Sequence, residues 1–254
     1  MLIHEIPFNN KVKIGSFWHS AKDIPAICSK SVRRLVTKAI GNDNHWGMCG
    51  SVTLVKRVGQ SFGVFTRHQL GHPDMDNLPE GFTENYLVPS LQPLFKNLSV
   101  TQLKFPTKDY EEEFFDIIAF IFNPADSEVI KESSYFTNGL LGQKVKSGSW
   151  FYVGYPSLED CLLYDQNYEK VQEFKQLSLV KDCQPDWTYQ GPDYVKRFTH
   201  NLVDYQPDGL SGGAIFCLTQ TENGFEIGLD CIITRANQSY LYGVNSDFLD
   251  MLLQ

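Results

Sequence analysis

From residue 47 onward the chain is cut into short runs rich in β-branched and aromatic residues, with Gly, Pro, Asn and Asp between them. This punctuation constrains the fold more than any other feature. Residues 51–56 and 61–66 read as two strands joined by a Gly-containing turn. Further strands are expected at LSVTQLKF (98–105), FFDIIAFIF (114–122), WFYVGYP (150–156) and the short run QLSLV. YVKRFTHNLV (194–203), AIFCLT (214–219), GFEIGLDCIIT (224–234) and SYLYGV (239–244) continue the series. Runs of this kind fit a pleated, half-buried or fully buried surface. Many short strands with regular turns predict an all-β barrel or sandwich. NPADSE (123–128) is turn-rich and marks a boundary between two halves. LEDCLLYDQNYEKVQEF, within 157–190, reads either as a helical turn or as a long excursion. The end, NSDFLDMLLQ, has a cap candidate at Asn245 or Ser246 followed by a helical apolar pattern.

Residues 1–45 have a different texture. Ile27, Val32, Leu35, Val36 and Ile40 recur at roughly the helical period, which predicts an amphipathic helix near 27–40. Its basic run, KSVRRLVTK (30–38), would then be a solvated face. That is the one basic cluster in a chain of net charge −8, so nucleic-acid binding is not expected. No stretch approaches the ~20 apolar residues of a membrane helix, and no membrane partner is expected. MLIHEIPFNNKVK lacks the basic start and apolar run of a secretory signal. The six cysteines form no C-x-x-C pair, so a zinc site is not expected. Free thiols in a reducing cytoplasm are the simpler expectation, and the predicted location is cytoplasmic.

The sharpest chemical signal is Pro207-Asp208-Gly209-Leu210-Ser211-Gly212-Gly213. A serine between glycines suits a tight turn that presents its hydroxyl while backbone N–H groups converge on one point. The same letters satisfy G-x-S-x-G of the α/β-hydrolases, whose histidine must follow the serine. Here the last histidine is His200, so that reading lacks its base. Upstream, His68 ends an apolar strand at a position suited to display at a barrel rim, and His72 is its close rival. His68 and His72 do not form the metal pair of H-E-x-x-H, whose Glu is missing. Asp116 opens a strongly apolar run, and a buried carboxylate there needs a partner such as a histidine ring N–H. Asp109 and Glu111 to Glu113 are alternatives that read as a solvated charge run.

The order His68, Asp116, Ser211 resembles the chymotrypsin-like (trypsin-like) serine peptidases, in their bacterial and intracellular style. FTRH resembles the family's strand-end T-x-x-H, DIIA its aspartate strand, GLSGG its G-[DN]-S-G-G and WFYVGYP its G-x-P turn. The match covers roughly residues 47–250. The resemblance implies a double six-stranded β-barrel with a C-terminal helix, to which the sequence ahead of it adds an extra N-terminal helical segment. Its expected divisions are 1–45 for the N-terminal extension, 46–124 for the first barrel and 125–254 for the second. It implies a nucleophile at Ser211, a base at His68 and an orienting acid at Asp116, with no metal or cofactor. The N–H groups of Gly209 and Ser211 would form an oxyanion hole. Tyr205, Asp208, Leu229 and Asp230 would line the substrate pocket, and the strand near 229–232 would pair with an extended polypeptide. Gln69 stands where secreted members have a cysteine, and Leu210 replaces the acid of zymogen-activated members. A regulatory protein partner is therefore expected as a restraint. Two other readings remain open: a catalytically silent binding module, or pseudopeptidase, and an esterase on the same fold.

Overall fold

The computed structural model describes residues 10–14, 17–38, 46–57, 59–70, 88–89, 100–104, 116–122, 147–156, 162–164, 171–174, 178–201 and 205–253. Strands β1 (Lys11–Ile14) and β2 (Phe17–Ser20) form a hairpin, followed by a 3-10 turn at Ala21–Asp23 and helix α1 (Ile24–Ser31). Then come β3 (Val32–Lys38), β4 (Trp46–Arg57), β5 (Gln60–Thr66), a 3-10 turn at Arg67–Leu70, β6 (Val88–Pro89), β7 (Val100–Lys104) and β8 (Ile117–Phe122). The second half holds β9 (Ser149–Gly154), β10 (Leu162–Tyr164), β11 (Val171–Phe174), β12 (Leu179–Pro185) and β13 (Val195–Thr199). It ends with β14 (Ala214–Thr221), β15 (Gly224–Ala236), β16 (Tyr240–Asn245) and helix α2 (Ser246–Leu252).

The helix expected over 27–40 is corrected. Pro25 lies in the first turn of α1, but the helix stops at Ser31 and residues 32–38 are strand. Val32, Val36 and Thr37 are β-branched, and full-length pairing with β4 outweighs an apolar spacing that suits either structure. The basic run is not solvated throughout: Lys30 is exposed, but Arg34 is fully buried, with its guanidinium 5.3 Å from the centre of the Tyr155 ring. Strand β3 pairs with β4, and β1 runs parallel to β15.

Six strands close into a barrel in the order β9, β12, β13, β16, β15, β14, and β14 returns to β9. The other sheet has six strands in the order β6, β3, β4, β5, β8, β7. Among the described residues no pairing closes it, so one closed barrel is seen where two were expected. Strand alternation divides the second half's apolar residues between two cores. Trp150, Tyr152, Phe198, Ile215, Cys217, Cys231, Ile233 and Leu241 fill the closed barrel. Their alternates Phe151, Val153, Phe216 and Ile232 turn outward and pack with Val55, Phe62, Val64 and Ile117 of the first sheet. The seam between the halves is therefore itself a core. Helix α2 is capped as expected: Asn245 Oδ1 accepts the Phe248 N–H at 3.2 Å.

Candidate active site

Antiparallel pairing of β5 with β8 sets Thr66 opposite Ile117. The end of one strand thus lies beside the start of the other, and Asp116 meets the turn that carries His68. The backbone fixes this first: Arg67 N–H donates to Asp116 O at 2.9 Å. The carboxylate then engages His68 twice. Oδ1 accepts the His68 backbone N–H at 2.8 Å, and Oδ2 accepts the ring Nδ1–H. A carboxylate can only accept, so Nδ1 carries the proton and Nε2 is left as an acceptor. That Nε2 lies 3.5 Å from Thr66 Oγ1. Asp116 is 19% exposed and His68 52%, so the imidazole is open to solvent and its partner is sheltered.

Ser211 sits in the turn between β13 and β14. Leu210 N–H donates to Pro207 O at 3.1 Å and Gly213 N–H to Leu210 O at 2.9 Å. Two glycines are required here. Gly209 and Gly212 have φ of 87° and 80°, and a Cβ on Gly212 would lie 1.9 Å from Ser51 O. Strand β15 holds the far side of the turn, with Gly212 N–H on Ile233 O and Ile233 N–H on Gly213 O, both at 2.8 Å. Strand β4 holds the near side. Ser51 N–H donates to Ser211 O at 2.9 Å, Ser51 Oγ to Gly209 O at 2.8 Å and Thr53 Oγ1 to Gly212 O at 2.8 Å. With those carbonyls engaged, the N–H groups of Gly209 and Ser211 have no acceptor among the described residues. The Ser211 hydroxyl donates to Thr234 O at 3.1 Å, and no hydrogen bond joins it to His68.

The expected pocket residues fare unevenly. Tyr205 is half-buried against the barrel core, and Asp208 is exposed beside the turn. Leu229 and Asp230 are corrected. Leu229 is fully buried in the seam core, and Asp230 is 1% exposed inside the barrel. Asp230 accepts from Trp150 Nε1 at 2.8 Å and is ion-paired with Lys196. A buried carboxylate already matched in this way has nothing to offer a substrate. The part of β15 that reaches Ser211 lies further on, at Ile233 and Thr234. Sequence reading missed Thr234, Ser51, Thr53 and Gln69. For Ser51, Thr53 and Thr234 the signal available was small polar side chains inside otherwise apolar strands, each of which needs a partner once buried; Gln69, in the 3-10 turn, gave no such signal. His72, Asp109 and Glu111 to Glu113 lie outside the described residues. Among the described residues no three His, Cys, Asp or Glu side chains cluster as metal ligands. Nor is any described helix long and apolar enough to cross a membrane.

This is the chymotrypsin-like protease fold, seen in solved structures of proteases. One of these is the protease Anisep from Arthrobacter nicotinovorans, at TM-score 0.51 and 15% identity, with 96% of this chain and 100% of that one covered. Another is the thermostable serine protease AL20 from an extremophilic microorganism, at TM-score 0.50 and 11% identity, with 89% and 96% covered. No family model matches the sequence, and no curated protein matches it.

Proposed function

We propose that the chain is a serine endopeptidase that cleaves polypeptides through an acyl-enzyme. The observation that carries this reading is the double engagement of His68 by Asp116, which leaves Nε2 as an acceptor on a solvent-open imidazole. The Ser211 hydroxyl turns from Thr234 O toward His68 and gives its proton to Nε2 as Oγ attacks the peptide carbonyl. The carbonyl oxygen gains negative charge and is met by the N–H groups of Gly209 and Ser211. The C–N bond then breaks, and the proton on His68 passes to the leaving amine. Water, deprotonated by the same nitrogen, hydrolyses the ester and restores the serine.

A second reading, a silent binding module on the same fold, is favoured by one observation: the hydroxyl is committed to Thr234 O rather than to His68. Labelling by a fluorophosphonate separates the two. An active protein is labelled, and Ser211→Ala and His68→Ala abolish the label. A wild-type protein that refuses the probe while cleaving no peptide supports the binding module. Comparing peptide with ester turnover distinguishes a peptidase from an esterase.

A further inference from the structure

Gln69 follows His68 in the 3-10 turn and is 6% exposed. Its carboxamide has two N–H donors and two acceptor lone pairs, and all four are used. Nε2 donates to Ser211 O at 3.0 Å and to Ser51 O at 3.1 Å. Oε1 accepts from Thr66 N–H at 2.7 Å and from Thr66 Oγ1 at 2.8 Å. The flipped amide would set its oxygen against two carbonyls and its NH2 against an N–H donor, so the network admits one orientation. Space is cleared for this group. A Cβ on Gly50 would lie 2.3 Å from Nε2, and one on Gly212 would lie 3.0 Å from Oε1.

We infer that Gln69 is a positioning residue that fixes Ser211 relative to His68. The inference rests on Ser211 and His68 being the nucleophile and base. Ser211 O takes one bond from the backbone of β4 and one from Gln69, so the peptide after the serine is held from two directions. On its other side the same carboxamide locks Thr66, whose hydroxyl lies beside the imidazole. One neutral side chain thus sets both members of the reacting pair. Displacements of about 1 Å at such a pair cost up to ~100-fold in rate.

The test uses the full chain with Gln69→Met and Gln69→Glu. Methionine keeps the length and drops all four bonds. Glutamate keeps the acceptor for Thr66 and turns oxygen toward the carbonyls of Ser211 and Ser51. With a saturable peptidyl fluorophosphonate, the maximal inactivation rate should fall by about tenfold in Gln69→Met with the half-saturating concentration unchanged. In Gln69→Glu it should fall further, and its ratio to wild type should rise as pH is lowered, because a protonated carboxyl regains one donor. Hydrogen exchange of the Ser51 amide, which donates to Ser211 O, should quicken in Gln69→Met relative to amides of α2. Inactivation within twofold of wild type in both variants, with Ser51 exchange unchanged, overturns the inference. A wild type that takes no probe overturns the nucleophile reading instead, and Ser51 exchange then decides whether the clamp exists.

Discussion

Lys196 reaches from β13 to the carboxylate of Asp230, which is 1% exposed and also holds Trp150 Nε1. Removing one partner of a buried ion pair leaves the other charge uncompensated. Lys196→Met should therefore destabilise the protein by about 3 kcal/mol in urea titration, and Lys196→Met with Asp230→Leu should recover much of that loss. His200 provides a pH dependence. Its Nε2 faces Asn237 O at 2.7 Å and must carry a proton, so Nδ1 accepts from Tyr152 O–H at 3.1 Å. Burial holds its pKa below the usual 6.5 against the opposing bonds to Asn237 and Tyr240. The unfolded chain then takes up the proton first. The contribution is complete above about pH 6.5 and is lost as pH falls through the lowered folded value. Urea midpoints measured downward from about pH 8 should show this slope, and His200→Gln should flatten it. At this scale the GLSGG turn was legible because few backbones need glycine on both sides of a serine. Asp230 was not: an aspartate inside an apolar strand reads the same whether it faces a pocket or a barrel interior.

Strands were the most legible elements, since period-two apolar runs between turn residues have few other uses. Residues 61–66, 214–219 and 239–244 lie within a residue or two of β5, β14 and β16. The failures were β3, whose apolar spacing fits a helix equally well, and β1 and β2. The latter two have four residues each, and β1 gains its place from β15, far along the chain. Gly63 shows an element constrained by its neighbour. It pairs with Phe120, whose ring is packed edge-on against Phe122 with centroids 4.8 Å apart. A Cβ on Gly63 would lie 2.3 Å from Phe120 Cζ. Gly63→Ala should therefore cost about 1–3 kcal/mol in unfolding free energy, although alanine is the better strand former on entropic grounds.

Across the whole molecule, the two halves share one apolar core and are joined at the turn carrying Ser211 by Ser51, Thr53 and Gln69. Neither half can part from the other without uncovering Phe62, Val64, Phe151 and Phe216 together. Unfolding should therefore be one transition: far-ultraviolet dichroism, which reads both sheets, and fluorescence, which includes Trp150 inside the barrel, should give coincident midpoints. Two separated midpoints would contradict this. The joint was the least legible feature in the sequence, because its hydrogen bonds span 142, 158 and 159 residues of chain. Mounting the serine on the joint also makes it a gauge. Its carbonyl belongs to the first sheet's network and its hydroxyl to the barrel's Thr234, so its geometry reports how the two parts sit. A tilt of one part against the other would therefore strain hydrogen bonds made by this residue itself.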